Sequence, residues 1–248
     1  MLQPTVSASS RLRRISPHLR GHLLLFDDNS SRTCDSSTSI RLLLVFVVLE
    51  GVLGPRLLIL RWFQIPSPPS WIRVPALLAL ALLLIRFVAQ IRFSQVGLTR
   101  WRDWTRTEKS YFLQALFLGN AVFLLISARR VHAIAANHAL WGPACVVVIT
   151  QLAWGLYQEL VYRGILQTAL VSRWGAIPGI LASNALFTFG PLHFYHFSSV
   201  SPVPTFVAIF VTGLLIGLLF WRSGNLWIVG ILHGVGDAYI DGLASLVH

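Results

Sequence analysis

The residues best able to do chemistry lie in Tyr157-Gln158-Glu159-Leu160-Val161-Tyr162-Arg163-Gly164, where a carboxylate and a guanidinium stand four residues apart in apolar surroundings. An ionisable side chain near the bilayer centre costs about 2.5–3.5 kcal/mol on insertion scales, so such residues are by default paired and functional. The i, i+4 spacing puts Glu159 and Arg163 on one helix face, where they neutralise each other, and leaves Gln158 and Tyr162 on a neighbouring stripe. Two later stretches, Phe189-Gly190-Pro191-Leu192-His193 and His233-Gly234-Val235-Gly236-Asp237, add two imidazoles and a second carboxylate. Gathered in one cavity, such groups can hold a water, take its proton and donate hydrogen bonds to a developing negative charge.

The elements that must position them are membrane helices. Hydrophobic residues make up 55% of the 248 positions and charged residues only 12%, against about 25% charged in soluble domains. Mean hydropathy is +0.67. The expected fold is all-α, a polytopic transmembrane helix bundle of about seven spans with the polar site between the last four helices. At about 20 residues per span, these fall near 40–60, 72–92, 110–128, 142–170, 176–195, 203–221 and 225–247. Residues 1–39 are polar and basic and read as a disordered cytoplasmic tail, without the apolar core of a signal peptide. Residues 40–248 form the transmembrane domain. Gly54-Pro55 is expected to kink the first span, and Pro66, Pro68 and Pro69 to mark the loop after it.

The net charge of +11 would suggest nucleic acid in a soluble chain. Here the arginines flank apolar segments, which is the pattern of topology signals and anionic-lipid contact, so no nucleic-acid partner is expected. With the N-terminus inside, 13 basic residues fall in inner segments and 4 in outer ones, which supports a cytoplasmic N-terminus. Cys34 and Cys145 form neither a disulfide framework nor a metal motif. Lys109 is the one lysine among 20 basic residues, a bias that suits a GC-rich bacterial genome; the expected location is the bacterial inner membrane. Gly213-x-x-x-Gly217 and Gly230-x-x-x-Gly234 are expected to let helix backbones approach. Helix rise puts Glu159 about 17 Å, His193 about 26 Å and His233 about 12 Å from the inner ends of their helices. Tilt or a kink at Pro191 must absorb the difference if the three are to meet.

The three stretches resemble the E-E-x-x-x-R, F-x-x-x-H and H-x-x-x-N/D motifs of the CPBP family, intramembrane glutamic proteases that include the type II CAAX prenyl endopeptidases. The resemblance covers about residues 141–247, and Gln158 stands where the family has its first glutamate. It implies catalytic positions at Gln158, Glu159, Arg163, His193, His233 and Asp237, with His193 holding or activating water and His233 and Asp237 serving the oxyanion. It implies an intramembrane endopeptidase acting on membrane-proximal or membrane-embedded peptides in the lipid bilayer. Glutamine orients water but cannot accept its proton, so the base must lie elsewhere. Asp237 is the favoured substitute, because Glu159 is expected to be committed to Arg163. The alternative is a non-catalytic pseudoprotease or membrane peptide-binding protein. No cofactor is expected. A metal held among Glu159, His193, His196, His233 and Asp237 is not favoured, since the H-E-x-x-H signature is missing.

Overall fold

The structure, a computed structural model, describes residues 35–53, 63, 68–198 and 201–247. The Gly54-Pro55 kink, Pro66 and most of the expected tail lie outside the described residues. Among those described, every regular element is helical and none is a strand. In hydrocarbon a helix satisfies its own backbone, and the apolar runs leave no other route. Four helical stretches among the described residues are long and apolar enough to cross a membrane: Ser70–Phe87, Glu108–Ile126, His138–Trp174 and Pro202–Ser223.

The first helix, α1 (Ser36–Phe46), runs into a π-helical turn, Val47–Leu53. It opens inside the segment assigned to the tail, and Thr38 and Ser39 are buried. The Thr38 hydroxyl accepts from Arg41 Nη2 at 3.3 Å. Next comes α2 (Ser70–Phe87), followed by a loop with two short 3₁₀ turns. A capping box starts α3 (Arg106–Ile126): Glu108 N donates to Thr105 Oγ1 at 3.1 Å and Thr105 N donates to Glu108 Oε2 at 2.8 Å. A short helix the periodicity did not foretell, α4 (Ala128–Ala136), leads to α5 (Trp141–Glu159).

The expected fourth span is one helical path in three parts. From α5 the chain passes through a π-helical turn, Leu160–Gln167, into α6 (Thr168–Trp174). Gly175, at φ +85°, then turns the chain sharply into α7 (Ala176–Phe189). The fifth span was expected to continue through His193 with a kink at Pro191. Instead α7 stops at Phe189, Gly190 is extended, and His193 sits in a 3₁₀ turn, Pro191–Ser198. Proline supplies no backbone N–H and disfavours helix at the residue before it, so Pro191 ends this helix rather than bending it. After it, α8 (Pro202–Ser223) begins with proline in its first turn and ends at Gly224, φ +60°. Asn225 caps α9 (Leu226–Asp237), its Oδ1 accepting from Trp227 N at 3.1 Å.

Packing centres on α5 and α9, which make the most extensive contact among the described residues. Glycines permit it. A Cβ on Gly155 would run into the Gly234 backbone, and one on Gly234 would lie 2.7 Å from Leu152 Cα. The Gly230/Gly234 pair thus does bring backbones together, as small residues do between membrane helices.

Candidate functional site

Glu159 ends α5 and Arg163 lies in the π turn that follows; both side chains are wholly buried, with Arg163 Nε 3.4 Å from Glu159 Oε2. The local i, i+4 pair expected from the sequence therefore forms. Single wide turns of this kind cluster at functional sites. Glu159 is nevertheless not committed to Arg163 alone. Its Oε1 lies 2.6 Å from His233 Nδ1, which must carry the proton if the carboxylate is ionised. On the other side of the ring, His233 Nε2 is 3.5 Å from Asp237 Oδ1, and Gln158 Nε2 donates to Asp237 Oδ2 at 3.3 Å. Gln158, Asp237, His233, Glu159 and Arg163 thus form one connected row, although two pairs in it are 74 and 79 residues apart in sequence.

Exposure ranks the row. The Glu159 side chain is 0% exposed, His233 14% and Asp237 22%, so Asp237 is the carboxylate with the most room for a water or a substrate.

Arg163 is anchored from a second direction. Its Nη2 donates to Gly213 O at 2.9 Å, Gln167 Nε2 donates to Gly217 O at 2.9 Å, and Asn184 Nδ2 donates to Phe210 O at 2.9 Å. Three polar side chains therefore dock on carbonyls along one face of α8. Here the second glycine pair departs from expectation. A Cβ on Gly213 would strike Asn184 Oδ1 and approach Arg163 Nη2, and one on Gly217 would lie 2.9 Å from Gln167 Oε1. Gly213 and Gly217 make room for these polar side chains, not for a neighbouring helix backbone.

His193 joins the site through Phe187. Its Nδ1 is 2.6 Å from Phe187 O, and a carbonyl can only accept, so the proton is on Nδ1 and, in the neutral ring, Nε2 is the basic nitrogen. The Phe187 ring meets His193 and His233 edge-on at centroid distances of 4.8 and 5.9 Å, and the Arg163 guanidinium sits 4.5 Å from the ring centre. Phe189, the aromatic of the expected motif, is half-exposed and packs on Phe206 and Phe210 instead. Two helix positions separate the two phenylalanines, roughly 200° of rotation, so only one can face the site.

Sequence reasoning missed Glu50. This buried residue of the first π turn accepts from the Tyr162 hydroxyl at 2.9 Å, and Tyr162 packs edge-on against Phe187. Gln158 and Tyr162, expected on one stripe, thus serve different carboxylates. An acidic residue in the apolar run Leu42–Leu53 was itself a signal. Among the described residues no group of three or more His, Cys, Asp or Glu is arranged to hold a metal, and the His196 side chain lies outside those described.

A buried row of carboxylate, imidazole, guanidinium and amide inside a membrane helix bundle defines the class: a membrane protein built around an internal polar site. The family model for type II CAAX prenyl endopeptidase Rce1-like proteins matches residues 140–239, the segment that carries all three motifs. The CPBP resemblance is thereby borne out over that segment. No curated protein and no solved structure matches it.

Proposed function

We propose that this protein is an intramembrane endopeptidase in which Asp237 takes over as general base at a site whose first motif position is Gln158. The observation that carries this reading is the placement of Asp237. It is the most open carboxylate of the row, held between the Gln158 amide and the His233 imidazole. A water beside Asp237 attacks the scissile carbonyl carbon as the carboxylate takes one of its protons. That proton then passes to the leaving amine as the C–N bond breaks. Glu159 fixes the Nδ1–H tautomer of His233, and the ring, flanked by two carboxylates, can carry the second proton that lets Nε2 donate to the oxyanion. Gln158 orients the water through its amide. His193 is held in place by its Nδ1–H on the Phe187 carbonyl, beside the ring that also meets His233.

The substrate is a membrane-proximal or membrane-embedded peptide, since the groups lie among helices whose outer faces are apolar. The basic-residue asymmetry supports a bacterial inner-membrane location with a cytoplasmic N-terminus. The reading as a peptide-binding pseudoprotease draws on one observation, that Gln158 ties up Asp237 Oδ2.

Mass spectrometry of membrane-protein termini separates the two. Cells carrying the native protein are expected to show new termini, and Asp237→Asn to reduce them by about 10²–10⁴-fold, the worth of a general base. Identical termini with and without the native protein would sink the protease reading. Cleavage that appears only in Gln158→Glu would support the binder.

A further inference from the structure

The loop between α2 and α3 covers a cavity of about 550 Å³, within the roughly 300–1,000 Å³ range of ligand sites. None of Gln158, Glu159, Arg163, His193, His233 or Asp237 lines it. Its walls are apolar: Leu78 and Leu82 of α2, Phe112 of α3, Leu156 of α5 and Ile231 of α9.

Its rim has a different chemistry. Thr99, Arg100 and Trp101 border it, and the Trp104 and Trp227 indoles both donate to Thr99 O, at 3.4 and 3.1 Å. The Thr99 hydroxyl is buried without a partner. Tryptophans gather where a membrane protein meets the headgroup layer. Arg92, Arg100, Arg102, Arg106 and Lys109 stand on or beside this loop. Its acids are already engaged, Asp103 with Arg102 at 3.6 Å and Glu108 in the cap of α3. Uncompensated positive charge thus sits at the mouth of an apolar slot.

A free anion would satisfy the charge and leave the slot unfilled, while a neutral hydrocarbon would fill the slot and leave the charge. One molecule with both parts fits both. We propose that this cavity binds an anionic phospholipid, one acyl chain lying between α2, α3, α5 and α9 and the phosphate held at Arg100. Two walls belong to the helices that carry Glu159 and His233, so the bound chain braces the pair whose contact makes the polar row. The proposal does not rest on proteolysis.

The test is native mass spectrometry of the protein released from nanodiscs of equal phosphatidylglycerol and phosphatidylcholine with the same chains. The native protein is expected to retain phosphatidylglycerol preferentially. Arg100→Gln should lower that preference about fivefold, the effect of one basic residue at an anionic surface. Leu78→Trp, which fills the cavity, should release the lipid, and Ile231→Phe serves the same purpose should the first variant fail to fold. Equal retention of both lipids by the native protein overturns the proposal. So does undiminished retention in a folded cavity-filling variant, or displacement of the lipid by inorganic phosphate alone.

Discussion

The stretch Leu160–Gln167 and the helix α3 are both apolar by composition, yet they live in opposite surroundings. All eight residues of the first are buried, Arg163 among them. In α3, Phe117 is 79% and Leu125 78% exposed, with Leu113 and Leu118 also facing outward. The outward face of α3 needs only to be greasy, because lipid accepts any apolar side chain without a matching shape. The π turn is enclosed by α1, α5, α7 and α8, and enclosure is what makes its charge tolerable: Arg163 meets Glu159 and the Gly213 carbonyl, and Gln167 Nε2 meets the Gly217 carbonyl.

If that contrast is right, the largest loss follows from removing Arg163. Arg163→Ala leaves Glu159 Oε2 without its cation and frees the Gly213 carbonyl, and breaking a buried pair costs about 3–5 kcal/mol. Thermal unfolding in detergent should show it, and an unchanged melting temperature would erase the difference between the two regions. Next comes the seam that holds α9 against α5. Gly155→Ala pushes a methyl into the Gly234 backbone, whereas nothing lies within 4 Å of a Cβ on Gly142. Overpacking of this sort costs about 1–3 kcal/mol, so the midpoint of denaturation by sodium dodecyl sulfate should fall for Gly155→Ala and stay put for Gly142→Ala.

Tyr162→Phe sharpens the comparison further, because it leaves the buried Glu50 carboxylate without the hydroxyl it accepts from. An unsatisfied buried group costs about 1–3 kcal/mol, while Glu50→Gln keeps an acceptor for the hydroxyl and should lose less. Guanidinium-induced unfolding of both variants in the same micelle decides it, and a larger loss in Glu50→Gln would count against the bond. The smallest effect belongs to the lipid face. Phe117→Leu should stay within about 0.5 kcal/mol of native, and a loss near that of Arg163→Ala would mean that the Phe117 face of α3 packs against something other than lipid.

The sequence alone determined the membrane class, the Glu159–Arg163 pair, the neighbouring positions of His233 and Asp237, and the three motifs that the family model covers. These are local properties. Helical periodicity decides which residues share a face, and hydropathy decides whether a segment can leave water. The link from Glu159 to His233, the bond from Gln158 to Asp237 and the docking of Arg163, Gln167 and Asn184 on α8 came only with the tertiary structure. So did Glu50, which meets Tyr162 across 112 residues, and the choice of Phe187 over Phe189. The physical reason is that these contacts depend on which helix faces meet and at what depth. That is set by close approaches such as Gly155 on Gly234 and by where Pro191 ends its helix. Several of the acceptors are backbone carbonyls, which every residue carries and no sequence pattern distinguishes.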